Sequence, residues 1–134
     1  MAALPLEAVV FGTTQFLVQR DRPEVPKLEE VAPTASFPSG HTAAALALYL
    51  TLAVIVSAHT RHRSLRVAAW AWAVVAPLWC AWSRMYRGAH HPTDVIASFA
   101  LGLAAVACGV WIVRAAVAAR RLPAGAPVLQ AARR

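Results

Sequence analysis

Three uncharged stretches stand out along the chain: 42–58 (TAAALALYLTLAVIVSA), 67–82 and 95–113, of 17, 16 and 19 residues. A bilayer core about 30 Å thick needs roughly 20 helical residues, with about 17 as the lower limit. With flanking residues counted, each stretch is predicted to be a membrane helix. Pro77 lies well inside the second and predicts a kink, which membrane helices tolerate when neighbours satisfy the released backbone groups. Gly102, Ser98 and the many alanines suit close helix packing.

The N-terminal segment differs. Residues 4–19 are interrupted by Pro5, Glu7 and Gly12, and a 16-residue helix reaches only about 24 Å. The segment lacks the basic start and small-residue cleavage site of a signal peptide. It is read as the second part of a helix that begins upstream, so a fragment or a minimal version is expected. The predicted fold is all-α: one integral membrane helical bundle over residues 1–134, three clear spans plus a short N-terminal helix.

Composition agrees. Of 134 residues, 59% are hydrophobic and 14% charged, against about a quarter charged in soluble domains. Mean hydropathy is +0.53. Disorder is excluded by that hydrophobicity, and a disulfide-built secreted scaffold by the presence of only two cysteines. Cys80 and Cys108 fall inside predicted spans and are read as small packing residues. Trp70, Trp72, Trp79, Trp82 and Trp111, with Tyr86, are read as interfacial or packing residues.

Polar residues collect in the connections. Segment 20–38 (RDRPEVPKLEEVAPTASFP) has four prolines and most of the acids, 58–66 is a short basic turn and 83–92 a polar loop. The tail 114–134 is basic, helical at first and then frayed. Alternate crossing puts 20–38 and 83–92 on one side, where Arg20, Arg22, Lys27, Arg84 and Arg87 balance Asp21, Glu24, Glu29, Glu30 and Asp94. The other side carries the whole net charge of +7. The positive-inside rule makes that side, with the C-terminus, cytoplasmic. A pI near 11.1 would suggest nucleic acid in a soluble protein; here topology accounts for it, and no nucleic-acid partner is expected.

The unusual polar residues then share the outer face: Arg22, Ser39-Gly40-His41 opening the second helix, Ser83-Arg84 closing the third, and His90 and Asp94 at the start of the fourth. Such a set suits phosphoryl transfer. A Ser-Gly helix opening presents backbone N–H groups to an anion. Arg22 and Arg84 can grip phosphate oxygens and stabilise charge that develops on them. Two histidines can divide nucleophilic attack and protonation of the leaving oxygen. Asp94, four residues after His90, is the candidate to orient it. No complete metal site is present in the sequence, so the chemistry is expected to need neither metal nor cofactor. Each feature has a plainer alternative: His90 and Ser39 as helix caps, the arginines as headgroup anchors. Arg20, Lys27 and Arg87 are read as solvated or headgroup-facing, His59 and His62 as polar-turn residues, and His91 as without chemical role.

The order Arg22-Pro23, Pro38-Ser39-Gly40-His41, and Ser83-Arg84 followed by His90 and Asp94 resembles the type-2 phosphatidic acid phosphatase and vanadium haloperoxidase superfamily, over roughly residues 15–110. The resemblance implies a helical membrane bundle, often of six helices, with its site on the extracytoplasmic face of a bacterial plasma membrane. It makes His90 the nucleophile of a phosphohistidine intermediate, held by Asp94, and His41 the general acid. Arg22, Ser39, Gly40 and Arg84 become the phosphate cradle. The family has a lysine seven residues before the arginine, where this chain has Gln15; glutamine can still donate to phosphate, and Arg20 or Lys27 could supply the missing charge. Set against the family's pattern, the first helices are expected to be lacking here, and self-association is one way to rebuild them. The expected substrate is a lipid phosphate, phosphatidate or a polyprenyl diphosphate. The alternatives are a catalytically weak module binding phospholipid or a partner protein, and vanadate-dependent oxidation, which is disfavoured because its known examples are soluble.

Overall fold

In the computed structural model, which describes residues 3–26, 28, 30 and 34–121, four helices follow one another: α1 (Ala3–Val18), α2 (Gly40–His59), α3 (Arg63–Tyr86) and α4 (Pro92–Arg121). Among the described residues there is no strand. α2, α3 and α4 are each long and apolar enough to cross a membrane. All three outrun the uncharged stretches, because arginine and histidine at span ends remain helical and extend their heads to the interface. The loop expected over 83–92 therefore shrinks to 87–91. The tail is helical to Arg121; the rest of it, and Lys27 and Glu29, lie outside the described residues.

α2 is the central helix and packs against the other three, while α4 also packs against α1. The contacts are made by small residues. Ala73, Pro77 and Ala81 form a buried stripe on α3 at four-residue spacing, and Ala43, Ala47 and Ala53 are buried on α2. Pro77 lies in that stripe and α3 runs unbroken through it. The T-shaped pair Tyr49–Trp72, with centroids 6.3 Å apart, and the Trp70 Nε1 bond to Ser57 Oγ at 3.0 Å tie α2 to α3. On α4, Val95, Ser98, Gly102 and Ala105 are buried. A Cβ on Gly102 would come within 3.0 Å of both the Ala43 carbonyl and the Leu46 side chain, so α4 meets α2 at backbone distance there.

The outer surface is apolar. Trp70, Trp72, Trp79, Trp82 and Trp111 are exposed, with many leucines and valines. In water such a surface would drive association; in a bilayer it is the solvated face. Cys80 is half-buried, whereas Cys108 faces outward instead of packing inside, since it falls off the buried stripe of α4.

α1 ends where Gln19 turns left-handed at φ 43° and its N–H bonds the Gln15 carbonyl at 3.2 Å. The following segment folds back over the bundle end: Ser36 N–H bonds the Arg20 carbonyl (2.7 Å) and Leu28 N–H the Arg87 carbonyl (3.4 Å). The C-terminal ends of α1 and α3 and the N-terminal ends of α2 and α4 thus gather at one end.

Candidate active site

The turn from α3 into α4 explains the fixed spacing from Arg84 to His90. Gly88 adopts φ 69°, a left-handed conformation nearly free of cost only for glycine. Its N–H bonds the Met85 carbonyl (3.0 Å), and Ala89 N–H bonds the Arg84 carbonyl (3.1 Å). This paired pattern is the Schellman helix ending. It satisfies the last carbonyls of α3, reverses the chain and lays His90 beside Arg84.

His90 is buried, and its Nδ1 lies 2.8 Å from the Ser36 carbonyl oxygen. A carbonyl only accepts, so Nδ1 carries the proton and the neutral ring keeps its lone pair on Nε2. Asp94 is wholly buried, but its nearer oxygen is 3.8 Å from Nδ1, outside hydrogen-bond reach. The expectation that Asp94 holds His90 directly is corrected here: a backbone carbonyl does so. The carboxylate is engaged elsewhere. Oδ1 accepts from Arg20 Nη1 at 2.9 Å, and Oδ2 accepts from the Ser36 hydroxyl and from His91 N–H (2.8 Å). Burial is the main influence on the His90 imidazole and pushes its pKa below the ordinary histidine value. The bond to Ser36 raises it, Arg22 and Arg84 lower it, and Asp94 raises it. The net effect keeps the ring neutral, as a nucleophile must be.

Ser39 stands at the N-cap of α2, but its hydroxyl caps no backbone N–H there. It pairs with Thr42 Oγ1 at 3.0 Å, and Ser39 N–H bonds the Asp94 carbonyl at 3.3 Å, pinning the start of α2 onto α4. With no serine oxygen drawn onto them, the amides of the first turn retain their capacity to bind an anion. Gly40 opens that turn and His41, next along, is exposed.

Arg22 reaches the turn before His90: Nη1 donates to the Ala89 carbonyl (2.7 Å) and Nη2 to Thr34 Oγ1 (3.2 Å). Arg84 sits half-buried in the last turn of α3. The field of both arginines is felt at His90. Gln15, expected on the phosphate, donates its amide to the Ala35 carbonyl at 2.8 Å and braces the segment that carries Ser36. Arg20, read from sequence as solvated, is instead the ion-pair partner of Asp94 and also donates to Thr93 Oγ1 at 2.6 Å. Ser36 was not singled out in the sequence, and its only signal was a serine in the proline-rich segment just before Ser39. Among the described residues, no three His, Cys, Asp or Glu side chains gather as metal ligands.

Three helices long and apolar enough to cross a membrane, with a histidine, arginines and a helix N-terminus gathered at one end, define an all-helical integral membrane protein. Residues 2–118 match the PAP2 superfamily, and the chain belongs to that family. It is 33% identical over 110 residues to phosphatidylglycerophosphatase B of Bacillus subtilis (strain 168), across 73% of this chain and 52% of that protein. It resembles the crystal structure of a transmembrane PAP2-type phosphatidylglycerolphosphate phosphatase from Bacillus subtilis, with TM-score 0.72 and 28% identity over 78% of this chain and 52% of that one. LpxE of Aquifex aeolicus shares the fold at TM-score 0.62 and 24% identity, over 84% of this chain and 64% of that one. The chain spans about half the length of the Bacillus relative.

Proposed function

We propose that this chain is a membrane lipid phosphatase that hydrolyses a phosphomonoester or diphosphate of a lipid through a phosphohistidine. The observation that carries the reading is the His90 tautomer: with Nδ1–H held by the Ser36 carbonyl, Nε2 is the nucleophilic atom. Nε2 attacks phosphorus and the ester P–O bond breaks. The departing oxygen takes a proton from His41, which lies on the first turn of α2. Water, giving its proton back to His41, then attacks phosphorus; the P–N bond breaks and inorganic phosphate leaves. Arg22, Arg84 and the Ser39-Gly40 helix start bind the phosphoryl oxygens and stabilise their growing charge. Asp94, 3.8 Å from Nδ1, stabilises the positive charge of the phosphorylated imidazole. The chemistry uses no metal.

The charge asymmetry of the loops supports a site on the extracytoplasmic face, with the C-terminus inside, and a bacterial plasma membrane is part of the same proposal. The headgroup enters from the interface while the acyl or prenyl tail stays among the helices. The relatives make phosphatidylglycerophosphate a substrate to test beside phosphatidate and a polyprenyl diphosphate.

The experiment is phosphate release from short-chain forms of these three lipids by the detergent-purified chain, with chelator present and His90→Ala alongside. Release by the wild type only, with an acid-labile, base-stable phosphoenzyme, is the expected result. Full activity of His90→Ala would overturn the mechanism.

A further inference from the structure

Four contacts join residues far apart in sequence into one closed circuit around His90. Arg20 Nη1 holds Asp94 Oδ1 at 2.9 Å. Asp94 Oδ2 accepts the Ser36 hydroxyl. The Ser36 carbonyl holds His90 Nδ1 at 2.8 Å. Ser36 N–H bonds the Arg20 carbonyl at 2.7 Å. Ser36 is thus bonded through its hydroxyl, its carbonyl and its N–H at once, and Arg20 enters the circuit through both its guanidinium and its backbone.

We propose that Arg20 and Ser36 are positioning residues for His90, so that the Asp94 carboxylate orients the nucleophile through Ser36 and is itself held by Arg20. The inference rests on the phosphohistidine reading. A carbonyl can fix a ring only as well as its own peptide is fixed, and Ser36 lies in an irregular segment without helical hydrogen bonds to hold it. The Asp94 anchor supplies that restraint. Asp94, wholly buried, in turn has its carboxylate oxygens satisfied by Arg20, Ser36 and His91. Arg20 is partly open to solvent, 38% exposed, yet it points its charge at a carboxylate, which sets it apart from arginines that bind phosphate. Positioning residues act on the transition state by keeping the attacking atom aligned. Their loss therefore lowers kcat with little change in KM.

The test uses the full chain in detergent, with Arg20→Ala, Arg20→Lys, Ser36→Ala and the double variant Arg20→Ala/Ser36→Ala. Each alanine variant should lose roughly 10- to 100-fold in kcat, with KM within about two-fold, since small misplacements of a reacting group cost factors of this size. Arg20→Lys should recover part of the loss. The double variant should lose less than the product of the single losses, because both act on one circuit. Nitrogen-labelled histidine NMR gives a reading independent of turnover: the wild-type Nδ1–H tautomer of His90 should give way to a tautomer mixture in both alanine variants. Raised KM with unchanged kcat in Arg20→Ala would make Arg20 a substrate ligand and overturn the inference. So would unaltered kcat and an unaltered tautomer in Ser36→Ala. If the wild type releases no phosphate, the function reading fails, while the tautomer measurement still decides whether the circuit holds His90.

Discussion

Asp94 follows His90 by four residues and lies 3.8 Å from its Nδ1, yet the two share no hydrogen bond. The proton on Nδ1 goes to the Ser36 carbonyl, and the carboxylate faces Arg20, Ser36 and the His91 amide. The carboxylate therefore lies close enough to act on the His90 ring by its charge, and changes at Asp94 are expected to separate into effects on folding and effects on the proposed chemistry.

Asp94→Ala strands three donors at once and leaves Arg20 opposite an empty position. Breaking a buried charge pair from one side costs on the order of 3 kcal/mol, lessened here because Arg20 is partly solvated. Asp94→Asn keeps the shape and an acceptor oxygen, and so should unfold at a clearly higher temperature than Asp94→Ala. On the proposed phosphohistidine mechanism both should slow phosphoenzyme formation, since neither carries the charge assigned to stabilising the imidazolium. Thermal unfolding in detergent and single-turnover kinetics would show the split.

Burial and the two arginines hold the His90 pKa below the ordinary histidine value, about 6.5 in the unperturbed residue. The ring stays neutral as pH falls through that value, so the acid limb assigned to His90 should lie below it. Replacing Arg84 with Gln removes a cation that disfavours imidazolium and should move the titration upward. Histidine NMR of the wild type and Arg84→Gln measures both positions without interference from the substrate phosphate. The same sign applies to folding: the unfolded chain takes up this proton first on acidification, so the contribution of His90 to stability falls below about pH 6.5.

Gly88→Ala should damage activity beyond its effect on stability. At φ 69° a Cβ costs on the order of 1–2 kcal/mol. Relaxing that strain would break the turn that brings His90 back to Arg84. Activity per folded molecule, with the folded fraction read by size-exclusion, is the measurement; an unchanged kcat would remove the turn from the account of the site.

Two glycines should respond in opposite ways to alanine. At Gly102 the added methyl meets the Ala43 carbonyl at 3.0 Å, and α2 and α4 must part, at a cost of roughly 1–3 kcal/mol. Ala43 lies in the turn that begins at Gly40, so activity should fall too. At Gly12 nothing lies within 4 Å, and Gly12→Ala in mid-helix should stabilise by about 0.5–1 kcal/mol. Parallel melting curves test both.

Gln15→Lys should retain the brace on Ala35, since an ammonium also donates to a carbonyl, and add a positive charge to the segment that leads to Ser39. KM for a lipid phosphate should fall. Gln15→Leu removes the donor that now bonds Ala35 at 2.8 Å, and by loosening the segment before Ser36 should lower kcat. A rise in KM for Gln15→Lys would place the position away from the phosphate.

Most of what depends on neighbours along the chain was legible in the amino-acid sequence. Length and apolarity specify α2, α3 and α4, because a bilayer demands unbroken apolar helices of set length. Alternate crossing of those helices encodes which of their ends share a face, whereas the helix ending at Gly88 is not read in advance, and the polar pattern starts the loop there at 83. The tertiary structure decided what meets across the bundle end. The partner of Nδ1 is a main-chain oxygen, which every residue possesses and no residue type advertises. Arg20 and Asp94 are 74 positions apart, and a solvated arginine reads the same in sequence as one aimed at a buried carboxylate. Gln15 bonds a loop carbonyl for a like reason: an amide donates equally well to a phosphate or a peptide, and only the fold of the proline-rich segment brings the peptide within 2.8 Å.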